Sequence, residues 1–177
     1  MSPRAFLPSP ILPSVAILAW ALWGCGEREL QAPPLEPTLV APELLAGALP
    51  ERIGEWRLGA VDARLLERSE TTVRVAGAYE HPGLEHAIFF ELLDCLESPS
   101  LKTSFQVPYD SRNDGYSRIE PQGHPGVKIV SRTPLSTIVN VMVDGRFLFL
   151  TSGEGIDVEA MDAFVSGFDF NRIAELQ

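Results

Sequence analysis

Apolar and polar residues alternate with a period of two over much of the chain, and this pattern predicts β-hairpins. In the first hairpin, Val73, Val75 and Tyr79 share one face, residues 81–83 turn, and residues 86–94 return. The returning segment is apolar on both faces. This predicts a central strand, although a buried helix has the same pattern.

Two more hairpins follow the same rule. Residues 116–122 and 127–132 flank a turn at 124–126, and residues 137–143 and 147–149 flank Asp144-Gly145. An Asp-Gly pair between alternating apolar residues favours a tight turn because both positions accept a positive φ. Earlier in the chain, residues 53–58 predict a strand with Trp56 as its anchor.

Helical patterns mark both ends of the folded part. Pro42 suits the first turn of a short helix over residues 42–48. Near the C-terminus, apolar residues recur every three or four positions from Val158. There Asp157 is the expected cap and Gly167 the expected end.

These elements predict an α+β fold: an antiparallel sheet of about six or seven strands with a C-terminal helix packed on one face. The order of elements resembles that of small exported α+β domains such as the PsbP-like and Mog1-like group. The resemblance is one of architecture without a matched motif, and it implies no activity.

The N-terminus has the layout of a secretory signal. Arg4 precedes an apolar stretch, and no acidic residue occurs before Glu27. Three prolines interrupt the first half, and the unbroken apolar run over 15–24 is shorter than the ~20 residues that a transmembrane helix needs. An uncleaved membrane anchor is the alternative.

The end of this segment, Leu22-Trp23-Gly24-Cys25, resembles the lipobox of bacterial lipoproteins. The resemblance implies cleavage before Cys25, a diacylglycerol thioether on its thiol and further acylation, for example with palmitate. The predicted domains are then a signal peptide (1–24), a lipid anchor with a proline-rich tether (25–42) and a single α+β domain (43–177). Gly26 after the cysteine is compatible with transfer to the outer membrane.

Composition excludes some partners. The formal charge is −10, and the only lysines are Lys102 and Lys128. A nucleic-acid partner is excluded because phosphate contacts need clustered cations. The membrane is expected as a partner only through the covalent lipid on Cys25.

No catalytic, cofactor-binding or metal site is predicted. His81 and His124 each precede Pro-Gly, which we interpret as type II turns. His86 is expected at a strand end. Residues 110–115 begin like a calcium loop, but Arg112 stands where an oxygen ligand belongs. Cys95 is expected to be buried and inert.

The sequence thus predicts an envelope lipoprotein with a noncatalytic binding or assembly domain, whose partner is an envelope protein or a small molecule. The alternative is a lipid-anchored exported enzyme, which requires a cleft holding Glu91, Asp94 or a histidine with a strongly shifted pKa. The sheet face opposite the C-terminal helix and the unassigned stretch 97–114 are the expected places for a binding surface.

Overall fold

The computed structural model describes residues 37–67, 71–106 and 115–176. The lipobox-like segment with Cys25 and the calcium-like loop up to Asp114 lie outside the described residues, so the interpretations of both segments stay predictions.

Short α-helices lie at the start, the middle and the end of the described chain, with strands between them. Its elements are α1 (Pro42–Gly47), β1 (Arg52–Ile53), β2 (Trp56–Glu67), β3 (Thr71–Glu80), β4 (Ala87–Asp94), α2 (Pro99–Gln106), β5 (Tyr116–Ile119), β6 (Gly126–Arg132), β7 (Leu135–Val143), β8 (Phe147–Glu154), α3 (Val158–Gly167) and α4 (Phe170–Ala174). All the strands pair antiparallel in one sheet, in the order β1-β2-β3-β4-β8-β7-β6-β5. The predicted α+β class with an antiparallel sheet is confirmed.

The predicted strand count was wrong, because the described residues form an eight-stranded sheet rather than one of six or seven strands. The segment 53–58 is not one strand but a tight hairpin in which Ile53 pairs with Trp56. Gly54 makes this turn with a φ of 58°, a conformation that is cheap only for glycine. After the turn, β2 continues to Glu67.

The other hairpins were predicted more closely. Residues 87–94 form a strand between β3 and β8, so the buried-helix alternative was wrong. The β7–β8 turn has positive φ at both Asp144 (50°) and Gly145 (65°), as the Asp-Gly pair predicted. The side chain of Asp157 caps α3 by accepting a hydrogen bond from the Ala160 amide at 2.7 Å.

The type II turns predicted at the two His-Pro-Gly sites are absent. The first site closes through a hydrogen bond from the Leu84 amide to the His81 carbonyl, and Gly83 does not adopt a positive φ. At the second site, Gly126 already belongs to β6. The chain reverses earlier, in a 3-10 turn over Pro121–Gly123 where Gln122 and Gly123 have positive φ.

The core lies between one face of the sheet and α1, α3 and α4. Its centre is a group of aromatic rings, in which Phe149 of β8 lies 4.3 Å from Phe168 and 5.5 Å from Phe170, measured between ring centroids. Tyr79 is fully buried in this core and donates a 2.8 Å hydrogen bond to the Pro50 carbonyl. This burial raises the pKa of the Tyr79 hydroxyl.

A buried ion pair attaches the start of the described chain to the sheet. Arg146 Nε and Nη2 donate to the two carboxylate oxygens of Asp94 at 2.9 and 2.7 Å. The same carboxylate accepts from the Val40 amide at 2.9 Å, and Arg146 donates to the Thr38 carbonyl at 2.6 Å. Residues 38–40 are therefore held at the end of β4 by charge-assisted hydrogen bonds.

Candidate functional site

The face of the sheet that points away from α1, α3 and α4 is the candidate binding surface. Successive strand residues point to opposite faces, so Phe90 and Phe149 enter the core while their neighbours Phe89 and Leu150 lie on the other side, which we call the open face. At one end of the open face, Leu101 of α2 packs against a small buried cluster of Leu93, Cys95, Met142 and Leu148.

Beyond this cluster the open face contains a groove of about 830 Å³. Its floor is low because β3 presents only small side chains there, Ala76 and Ala78. Their cross-strand neighbours on β4 are the larger Glu91 and Phe89. Gly77, between the two alanines, is constrained from both sides, since a Cβ would lie 2.8 Å from the Ala60 carbonyl oxygen and 3.1 Å from the Phe90 ring.

A network of charges lies on the β2–β4 side of the groove. Arg74 donates to Glu91 at 2.5 Å and to Asp62 at 3.3 Å. Asp62 also pairs with Arg64 at 3.2 Å. The hydrogen bond to Glu91, together with the attraction of both acids, raises the pKa of the Arg74 guanidinium. The network holds two positive and two negative side chains, so it presents fixed charges of both signs without a net charge.

The rest of the groove is mostly apolar. Phe89 is 58% exposed, which is unusual for a phenylalanine on a central strand. Ile138 and Leu150 line the groove beside it, and Asn140 and Ser152 add amide and hydroxyl groups. An apolar surface with a few fixed polar groups is typical of a ligand or partner site.

The acids and histidines of the enzyme alternative do not converge in the groove. Among the residues that the structure describes, no three His, Cys, Asp or Glu side chains form a group that could hold a metal ion. Glu91 is the only acid of the enzyme alternative that reaches the groove, and there it accepts from Arg74. Asp94 is fully buried against Arg146, on the opposite face.

The three histidines lie apart from the groove lining. His81 contacts Glu55 at 2.9 Å and packs edge-on against Trp56. His124 packs against Phe170 instead. His86 is exposed just before β4, as expected for a strand end. Cys95 is buried, as predicted.

The groove lies on the sheet face opposite the C-terminal helix, one of the two places where a binding surface was expected. Of its lining residues, the sequence pointed only to Glu91. The sequence did not single out Arg74 or Phe89, because each occupies an ordinary position in a strand pattern. Phe89 also lies within an apolar run, so its exposure could not be predicted. The stretch 97–114 contains α2, a helix that the sequence pattern did not predict.

No protein-family model, curated protein or solved structure matches this chain. In the described part of the chain, no helix is long and apolar enough to cross a membrane. The resemblance to the PsbP-like and Mog1-like group stays a prediction.

Proposed function

We propose that the protein is a lipid-anchored component of the bacterial cell envelope, in the outer membrane, whose folded domain is a noncatalytic binding or assembly module. In this proposal the acylated Cys25 is the membrane attachment, residues 26–42 are the tether, and the open-face groove is the surface that receives a partner.

The anchor is supported by the sequence before the domain. Leu22 and Gly24 stand at the places that a lipobox requires around Cys25, and four prolines over residues 33–42 favour an extended spacer. Acyl chains on one cysteine give durable attachment, because each buried CH₂ contributes ~0.8 kcal/mol. The contacts of residues 38–40 with Asp94 and Arg146 suit a point where a tether joins a domain.

The groove is the observation that carries the binding proposal. It combines the exposed Phe89 ring with the ordered Arg74–Glu91 pair on a rigid central part of the sheet. Such a surface can bury an apolar group of a partner while its charged side fixes the orientation. Because Glu91 accepts a hydrogen bond from Arg74, its carboxylate is held in a fixed position from which it can orient a partner.

The anchor is tested by the intact mass of the membrane-extracted protein and of a Cys25→Ala variant. We expect the wild type to lack residues 1–24 and to carry the mass of acyl chains, and we expect the variant to lack that added mass. A cleaved but unmodified wild type would make the protein a soluble exported domain. An uncleaved chain would restore the transmembrane anchor.

The binding surface is tested by site-specific photocrosslinking in intact cells. A photoreactive phenylalanine analogue replaces Phe89 in one strain and Leu44 of α1 in another; these side chains are 58% and 64% exposed. We expect a discrete adduct from position 89 only, because position 44 is equally accessible but outside the groove. Equal labelling at both positions, or none at 89, would contradict the proposal.

A further inference from the structure

Among the described residues, the outer edge of β2 is unpaired for most of its length. The β1 strand pairs only with Trp56 and Arg57, and the Glu51 carbonyl accepts from the Leu58 amide. Beyond Leu58, no strand of the described residues pairs with this edge. Unpaired backbone donors and acceptors along a strand are a template for another strand.

The side chains on this edge are self-complementary. On the open face, Asp62 and Arg64 carry opposite charges on either side of Ala63. On the other face, Val61 and Leu65 are equally spaced about the same residue, and Leu65 is 45% exposed. Edge strands are often protected from pairing by charged side chains. Here the charges of Asp62 and Arg64 repel a second copy only when it pairs in the wrong register.

Symmetry restricts the possible registers. In a two-fold symmetric antiparallel pair of edges, the axis passes beside one residue, which then lies opposite its own copy. If the axis fell between two residues, open-face residues of one copy would lie opposite core-face residues of the other. An axis at Asp62 or at Arg64 places like charges directly opposite each other. An axis at Ala63 places Asp62 opposite Arg64 of the partner subunit and Val61 opposite Leu65 of the partner subunit.

We infer that the protein forms a two-fold symmetric dimer through antiparallel pairing of β2 with β2 of a second copy, centred on Ala63. The pairing makes one continuous sheet, adds two opposite-charge pairs and covers Leu65. The opposite end of the sheet offers less, since β5 is a strand of four residues. This inference does not depend on the lipid anchor.

The dimer also completes the groove. Asp62 and Arg64 line its β2 side, so the axis places them beside Asp62 of the partner subunit and Arg64 of the partner subunit. The charged sides of the two grooves then meet at the axis. A partner bound in one groove would contact both copies of the protein. This extends the binding proposal, but dimerisation does not require a bound partner.

Sedimentation velocity of the detergent-extracted full-length protein tests the pairing. We expect a dimer for the wild type and a dissociation constant about tenfold higher for Arg64→Asp, because two opposite-charge pairs become like-charge pairs. Adding Asp62→Arg to that variant restores the complementary register and the affinity. Thermal unfolding verifies that each variant folds.

Oxidative crosslinking in membranes tests the register separately. Ala63→Cys places two thiols beside the axis, whereas the control Ala60→Cys leaves them ~20 Å apart, six strand residues along. We expect a disulfide-linked dimer from position 63 only. A monomeric wild type, a double swap no tighter than the single variant, or equal crosslinking at 60 and 63 would overturn the inference.

Discussion

Arg146→Ala is expected to lower the free energy of unfolding by ~3–5 kcal/mol, as is typical when one partner of a buried ion pair is removed. Arg146 is 7% exposed, and Asp94 is fully buried. The truncation leaves the Asp94 carboxylate without its counterion in a dry environment. It also leaves the Thr38 carbonyl without its donor.

Urea denaturation measures this loss, and Asp162→Ala is the control. Asp162 pairs with Lys128 at 2.8 Å, but its side chain is 49% exposed, so we expect that change to cost less than ~1 kcal/mol. Hydrogen exchange gives a more specific readout. The Val40 amide, which donates to Asp94, should lose protection in Arg146→Ala at urea concentrations where the rest of the sheet stays protected. A loss below that of the control would show that the buried pair does not hold the segment.

Phe149→Ala is expected to destabilise the domain by ~3–5 kcal/mol, because truncating a buried aromatic residue leaves a cavity. Phe149 is fully buried and contacts the rings of Phe90, Phe168 and Phe170. It joins the centre of the sheet to the segment that connects α3 with α4. The expected result is early unfolding of the C-terminal helices along with the loss of stability.

Phe89→Ala is the matched control, since it makes the same chemical change next to β8 on the opposite face of the sheet. With a side chain that is 58% exposed, it should change the unfolding free energy by less than ~1 kcal/mol. Differential scanning calorimetry of both variants separates the two faces. Similar losses for the two phenylalanines would mean that the open face is packed in solution, which would contradict the groove as an accessible surface.

Local chemistry explains which parts of the fold were predictable. The Asp144-Gly145 turn and the Asp157 cap each depend on one or two residues whose backbone preference or side-chain acceptor is strong. The prediction of one strand over 53–58 was wrong because the two-residue turn Gly54-Glu55 reverses the chain between Ile53 and Trp56. The helix α2 was missed because it is only eight residues long and has two large apolar residues, Leu101 and Phe105, which are too few to establish a helical period.

The sequence indicated which sheet face a C-terminal helix leaves open and one residue of the groove, Glu91, but not the other lining residues. Alternation separates two faces of each strand, and the predicted C-terminal helix suggested which face is covered. It does not tell which residues of β2, β3 and β4 become neighbours, because that depends on register across strands that are distant in sequence. The contact of Arg74 with both Asp62 and Glu91 follows only from that register.

The sequence by itself therefore determined the antiparallel α+β class, most hairpins and the C-terminal helix, because these follow from short-range periodicity and turn chemistry. Its lipobox resemblance likewise rests on four adjacent residues. The tertiary structure alone decided the eight-stranded order, the burial of the Asp94–Arg146 pair, the exposure of Phe89 and the open edge of β2. Each of these depends on which strands lie side by side, and strand pairing is set by packing over the whole sheet rather than by neighbours in the chain.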